Sequence, residues 1–141
     1  MSAARVSVIA LAAVALAFGC RSVEPPPPAV SLLGTSWVAE EIDGRPVDRI
    51  ESTLTFETAQ RINGNTGCNR YFGELELGEG TIRLKPTGTT RIACPPPIME
   101  QERRFLDALA AASAFRLADG KLLLLDPSGR VRLRLIPRAP R

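Results

Sequence analysis

The residues with the most direct chemical potential in this chain are its three cysteines, Cys20, Cys68 and Cys94. Histidine is absent, which excludes Ser-His-Asp and Cys-His nucleophiles and every metal site that uses imidazole. Three thiols are too few for a four-cysteine zinc site. The serines, Lys85, Lys121 and the carboxylates form no recognisable catalytic pattern. The sequence therefore predicts a protein that is not an enzyme and that has no cofactor and no metal site.

Cys20 follows an amino-terminal segment with the layout of an export signal. A basic start precedes an apolar run over residues 6–18, which is shorter than the roughly 20 apolar residues of a membrane-spanning helix. The junction with Cys20 resembles a bacterial lipobox, in which cleavage before the cysteine leaves a thiol that carries a lipid. We therefore predict a signal peptide over residues 1–19 and lipidation of Cys20. The alternative is ordinary secretion after cleavage behind Ala15 or Ala17.

The segment after the cleavage point favours a spacer. Four consecutive prolines at residues 25–28 favour extended polyproline II, so residues 20–30 would hold a folded domain off a membrane surface. We expect a lipid-anchored protein that faces the periplasm, at the outer membrane rather than the inner one because residue 21 is not Asp. Loss of the signal removes one of 18 basic side chains and leaves 17 against 15 acidic ones, so no nucleic acid is expected as a partner.

Cys68 and Cys94 remain as an even pair in a domain that we expect to be exported. Such a pair favours one disulfide in an oxidising compartment. A bridge between them would close a loop of about 27 residues and stabilise the fold by about 3.5 kcal/mol through the entropy of the unfolded chain. Two buried free thiols or a reactive pair are the alternatives, although redox sites usually have C-x-x-C spacing.

The most distinctive motif is the stretch over residues 63–73, NGNTGCNRYFG. Glycine and asparagine adopt positive φ more readily than other residues, so the stretch predicts a tight turn between two strands. The alternative is a binding loop that offers backbone amides and the side chains of Asn65, Asn69, Arg70 and Tyr71 to a ligand.

Short strands with alternating apolar residues must position this motif. The pattern predicts strands over residues 36–42, 53–57, 71–77, 81–85, 114–118, 121–126 and 130–136, and a helix near residues 97–113. In that helix Glu100 precedes Arg104 by four residues, the favourable order for an ion pair. The domain is expected to span residues 31–136, followed by a disordered tail over residues 137–141.

Two charged groups have a simple structural interpretation. Arg130, Arg132 and Arg134 alternate with apolar residues in the last predicted strand, which favours a solvated face whose charges protect a sheet edge. The acidic group at residues 40–43 lacks the regular oxygen spacing of a calcium loop, so we interpret it as surface charge at a turn.

The motifs of the chain, taken in order, resemble the META domain family, which includes the bacterial heat-inducible protein HslJ. The matching segments are LGTSW (33–37), LTF (54–56), GNTGCNRYFG (64–73), TTRIAC (89–94) and ERRFLDAL (102–109). The resemblance implies an α+β fold in which a strongly curved antiparallel sheet, approaching a partly open barrel, packs on one α-helix. It carries over no catalytic residue, and Cys68 and Cys94 match the paired cysteines of the family.

The resemblance and the export signal together predict a non-enzymatic envelope lipoprotein with a binding or stress-related role. We expect a monomer that is held at the membrane by its lipid anchor and that binds an envelope protein or a small hydrophobic ligand. The alternative is an inhibitor or accessory module for a periplasmic hydrolase, because a rigid loop pinned by a disulfide binds with little loss of entropy.

Overall fold

The computed structural model describes residues 31–47 and 50–139. The predicted signal peptide, Cys20 and the spacer lie outside these residues, as do residues 140–141. The described elements are β1 (Ser36–Ile42), β2 (Arg45–Pro46), β3 (Thr53–Thr58), β4 (Arg61–Asn65), β5 (Arg70–Leu77), β6 (Ile82–Thr89), α1 (Pro96–Ala111), β7 (Ala114–Ala118), β8 (Lys121–Leu125) and β9 (Val131–Pro137). Within these ranges, no helix has the length and apolar character needed to cross a membrane.

Eight strands form one antiparallel sheet in the order β6-β5-β4-β3-β1-β9-β8-β7, and β2 pairs with β1. The two ends of the sheet approach each other, since Thr81 and Ala114 form an isolated bridge. Beside this bridge the Ile82 N–H donates to the Ser113 carbonyl at 3.1 Å. The sheet is therefore a strongly curled half-barrel, which confirms the predicted α+β class and its curved antiparallel sheet.

The core lies between α1 and one face of the sheet. In α1, Phe105, Ala108 and Leu109 are fully buried. In β3, Leu54 and Phe56 are fully buried as well, because alternate residues of a strand point to the same face. Each such large side chain contributes about 1.5–3 kcal/mol when it leaves water. The helix begins at Pro96, where a proline loses no hydrogen bond.

β6 continues to Thr89, four residues beyond the end predicted at residue 85. The extension includes Pro86, which cannot donate a hydrogen bond to a neighbouring strand. However, β6 is the edge of the sheet, and the β5–β6 register shifts between Phe72 and Gly73, opposite this proline. An edge position beside a bulge tolerates proline, so the strand continues through it.

The arginines of β9 do not protect an edge, contrary to the prediction, because β9 lies between β1 and β8. Arg134 Nε lies 3.0 Å from Glu41 Oε2, and Arg132 pairs with Asp43. Two residues of the acidic group and two of the arginines therefore form ion pairs between the neighbouring strands β1 and β9. The sequence does not show this pairing, since the partners lie 93 and 89 residues apart.

The ion pairs of α1 also differ from the prediction. Glu100 pairs with Arg103, at 2.6 Å between Oε1 and Nη2, and not with Arg104. Arg104 instead donates to the carbonyl of Ile42 in β1, where it links the helix to the sheet. The Ile42 carbonyl thus competes with Glu100 for the Arg104 side chain. The helix sequence alone does not show this partner, because it lies in β1.

The carboxy-terminal end of the domain extends beyond the predicted limit at residue 136. β9 includes Pro137, and the Arg138 N–H donates to the Ser36 carbonyl at 2.8 Å. Residues 137 and 138, which were expected to begin a disordered tail, therefore continue the β1–β9 pairing, because β1 still offers a carbonyl at its first residue.

Candidate functional site

The glycine-rich stretch forms the end of β4, a tight turn and the start of β5, as predicted for a turn between strands. Gly67 has φ +108°, a backbone conformation that side chains rarely adopt, and its N–H donates to Asn65 Oδ1 at 2.7 Å. The Cys68–Cys94 disulfide, with 6.0 Å between the Cα atoms, joins this turn to the segment before α1. The predicted bridge is confirmed.

Asn69 is the centre of a buried hydrogen-bond network. Its Nδ2 donates to Glu102 Oε1 and Oε2 at 3.2 and 3.0 Å, and its backbone N–H donates to Oε2 at 3.2 Å. Its Oδ1 accepts from Thr90 Oγ1 at 2.8 Å and from the Ile92 N–H at 2.7 Å. Thr66 Oγ1 also contacts Glu102. Asn69 therefore joins the turn, the β6–α1 connection and the helix, and its side-chain amide is fully used within the fold.

Two helix residues of this network were missed by the sequence analysis. Glu102 belongs to the network described above, and Gln101 Nε2 donates to the Ile50 carbonyl at 2.8 Å and to Ser52 Oγ at 3.0 Å. A signal for Gln101 existed, because it lies four residues before the buried Phe105 and so on the same helix face. Glu102 begins the family segment ERRFLDAL, but no local pattern indicates its role, since its partners come from distant loops.

Tyr71 points into the core. Its hydroxyl donates to the Thr53 carbonyl at 2.8 Å, and its ring packs edge-on against Phe105 with centroids 5.8 Å apart. Burial raises the pKa of the Tyr71 phenol above its ordinary value. Of the four residues of the predicted binding loop, Asn69 and Tyr71 are thus buried, and their side chains are not offered to a ligand.

The other two, Asn65 and Arg70, line a groove of about 1270 Å³, whose lining also includes Tyr71 and the buried Trp37. They oppose each other across β4 and β5. Arg70 is exposed, and its side chain makes no ion pair with any described residue. Two of the residues predicted to bind a ligand therefore lie on one side of this groove.

The floor of the groove is a row of side chains that crosses four strands, and the residues on three of these strands are polar. Ser36 of β1 opposes Thr55 of β3, Thr55 opposes Asn63 of β4, and Asn63 opposes Phe72 of β5. Ser36 Oγ and Thr55 Oγ1 lie 3.0 Å apart and share a hydrogen bond. Phe72 is 62% exposed and leans over Gly88 of the edge strand, where an added Cβ would collide with its ring. The row thus ends in an aromatic ring that faces solvent.

The groove has an arginine at each end, and only Arg138 forms an ion pair with a described residue. Arg70 stands at one end and Arg138 at the other, and no carboxylate lines the groove among the described residues. Arg138 Nη2 lies 3.4 Å from Glu51 Oε2, on the rim. In the part of the chain that the structure describes, no cluster of three potential metal-ligating Cys, Asp or Glu residues occurs. The groove can therefore bind anionic and hydroxyl-bearing groups through guanidinium, hydroxyl and amide side chains.

The chain is similar to a known protein family and to one of its members. The family model of the META domain matches residues 30–139. Heat shock protein HslJ of Escherichia coli is 31% identical over 67 residues, which are 46% of this chain and 47% of that protein. The match thus spans about half the length of the curated relative.

Solved structures show the same fold. The NMR structure of a protein from Burkholderia xenovorans is similar with a TM-score of 0.60 and 26% identity, over 83% of this chain and 98% of that one. The crystal structure of a DUF4847 family protein from Bacteroides vulgatus has a TM-score of 0.58 at 13% identity, over 78% of this chain and 96% of that one. This second likeness shows the fold alone.

Proposed function

Because the chain belongs to the META domain family, we propose that it is a non-enzymatic binding protein of the bacterial cell envelope, anchored by a lipid on Cys20. The observation that carries the binding role is the groove between Arg70, whose side chain makes no ion pair with a described residue, and Arg138, which pairs with Glu51. The relative HslJ is named a heat shock protein, which supports a role for this chain under envelope stress.

A binding role fits the groove better than catalysis does. Its hydroxyl and amide side chains, such as Ser36 and Asn63, have no neighbouring base among the groove residues that would activate them. Glu102, the carboxylate of the buried network, is held by Thr66 and Asn69 and lies outside the groove. The polar groups of the turn between β4 and β5 thus stabilise the fold, whereas the accessible polar groups of the groove are suited to binding a ligand.

The groove also favours a polar ligand over an acyl chain. The space between sheet and helix that could have formed an apolar cleft is filled by core side chains such as Tyr71, Phe105 and Leu109. The small hydrophobic ligand stays a prediction without a site of its own. The inhibitor alternative also stays a prediction. Two residues of the turn that was expected to contact a hydrolase, Asn69 and Tyr71, are buried and cannot do so.

The anchor is tested by metabolic labelling with an alkyne fatty acid in cells that produce the full-length protein. We expect label on the wild type in the membrane fraction and none on Cys20→Ser. Cys68→Ser is the matched control and keeps the label, because Cys68 pairs with Cys94. Label on Cys20→Ser, or a soluble wild type without label, contradicts the anchor.

The binding role is tested by photocrosslinking in the same cells, with p-benzoylphenylalanine in place of Phe72 at the groove. The control position is Arg116, which is also exposed and lies on β7 outside the groove. We expect an adduct of defined mass from the groove position only. Equal adducts at both positions, or none at the groove, contradict a binding function of this surface.

A further inference from the structure

We propose that the groove binds an anionic oligosaccharide, a chain of sugar rings that carries carboxylate or phosphate groups. The proposal rests on the binding function and names the ligand class. Three features of the groove carry it: two separated cations, a polar floor and an exposed aromatic ring.

The separation of the cations sets the length of the ligand. Arg138 follows β9 and Arg70 begins β5, so four inter-strand steps separate them through β1, β3 and β4. At about 4.8 Å a step this is roughly 19 Å along the curve of the sheet. This is the separation of the two backbones along the sheet. An extended ligand with several anionic groups could contact both guanidinium groups, and each contact would be a charge-assisted hydrogen bond.

The floor between the cations suits sugar hydroxyls. Ser36, Thr55, Asn63 and Asn65 present hydroxyl and amide groups, which both donate and accept hydrogen bonds as sugar hydroxyls do. All four are half-buried, so they are accessible and yet held in position by the strands. A row of neutral donors and acceptors between two cations matches a chain of hydroxylated rings whose charges are spaced apart.

Phe72 completes the match. Its ring is 62% exposed, whereas the rings of Tyr71 and Phe105 are buried in the core. A pyranose ring has one face of C–H groups, and stacking it on an aromatic ring removes apolar surface from water on both sides. Without a ligand this apolar surface faces water at the end of a polar row, and a sugar ring would cover it.

Other ligand classes fit less well. A protein partner needs an apolar centre in its interface, and the centre of this groove is Thr55 and Asn63. A phospholipid brings acyl chains, for which the polar floor at Thr55 and Asn63 offers little apolar surface. An adduct with an envelope protein at position 72 would overturn the saccharide proposal and leave the binding function intact.

The experiment uses the full-length protein, purified in detergent, and isothermal titration calorimetry. The probes are tetragalacturonate and a heparin tetrasaccharide, with maltotetraose as the neutral saccharide and tetrapolyphosphate as the anion without rings. We expect saturable binding of an anionic saccharide and at least about tenfold weaker binding of the other two probes. No saturation by either anionic saccharide at about 1 mM overturns the proposal.

Variants separate charge from ring recognition. Arg70→Ala and Phe72→Ala are each expected to weaken binding of the anionic saccharide at least about fivefold, through loss of a charge-assisted bond and of a stacking surface respectively. Arg116→Ala, an exposed arginine of β7, is the control and keeps wild-type affinity. If Phe72→Ala has no effect and tetrapolyphosphate binds as tightly, the groove recognises charge alone, and the saccharide proposal is wrong.

Discussion

The Tyr71 hydroxyl donates a hydrogen bond to the Thr53 carbonyl across an intervening strand. Tyr71 lies in β5 and Thr53 in β3, and β4 passes between them at Gly64. An added Cβ at Gly64 would lie 2.8 Å from the tyrosine ring and would also collide with the Thr53 carbonyl. The contact between two strands that do not pair thus requires a glycine on the strand between them.

Gly64→Ala is therefore expected to destabilise the domain by about 3 kcal/mol or more, since backbone atoms must move to admit the methyl group. Gly80→Ala is the matched control. Gly80 has φ +71° and no neighbour within 4 Å, so alanine there costs only the left-handed conformation, about 1–2 kcal/mol. Urea unfolding of both variants measures the difference. A Gly64→Ala variant as stable as Gly80→Ala would contradict the steric role.

Stability is expected to fall above pH 10 because of Tyr71. Burial raises its pKa in the folded state, so above the ordinary value of about 10 the unfolded chain loses a proton that the folded chain keeps. The free energy of unfolding then falls by up to about 1.4 kcal/mol per pH unit. Tyr71 is the only tyrosine, so its ionisation is followed without overlap by ultraviolet absorbance during alkaline unfolding. Tyr71→Phe should lose this pH dependence, and a phenol that ionises in the folded protein near pH 10 would refute the expectation.

Asn69→Asp tests the buried network. The substitution removes the amide donors and places a carboxylate beside Glu102, so we expect a loss of about 3 kcal/mol at pH 7. Two carboxylates in contact repel each other and acid relieves this repulsion, so the loss relative to the wild type should shrink as the pH falls below about 5. Asn65→Asp is the control, because the side chain of Asn65 does not contact Glu102. Denaturation curves at both pH values measure the effect, and equal losses at pH 7 and pH 4 would rule out the charge pair.

The disulfide is expected to contribute about 3.5 kcal/mol by restricting the unfolded chain between Cys68 and Cys94, whose sequence separation is 26. The double variant Cys68→Ser with Cys94→Ser should unfold at lower urea concentration, and the reduced wild type should behave alike. Because Asn69 still holds Thr90 and Ile92, amide exchange in the β6–α1 connection should rise only moderately. Complete exchange there would mean that the bridge, and not the network, holds this connection.

Local patterns predicted most of the fold. The predicted strands at residues 114–118 and 121–126 form the β7–β8 hairpin, and the alternation around Leu54 places β3 correctly. Between the hairpin strands, Asp119 and Gly120 have φ of +52° and +73°, as a two-residue hairpin turn requires. The β1–β9 pairing was not predictable from periodicity, because it depends on which distant strands meet. The edge assigned to the β9 arginines was wrong for this reason.

The site was predictable only where it coincides with a local motif. Asn65 and Arg70 belong to the signature stretch and were identified there. Ser36, Thr55 and Asn63 are ordinary polar residues of three separate strands, and they form a row only after the strands align in register. The same motif also suggested binding roles for Asn69 and Tyr71. Both side chains are buried, and burial depends on the tertiary structure, which a local motif does not reveal.

The position of β1 between β3 and β9 determines the order in which the chain can fold. Ala39 pairs with Leu135, almost a hundred residues later, so the middle of the sheet closes only when the last strand has emerged. Until then β1 and the β7–β8 hairpin each expose an unpaired edge, which invites aggregation. A nascent chain that has not yet reached β9 lacks the strand that lies between β1 and β8. The domain therefore completes its structure after synthesis of nearly its whole length, and its high contact order predicts slow folding.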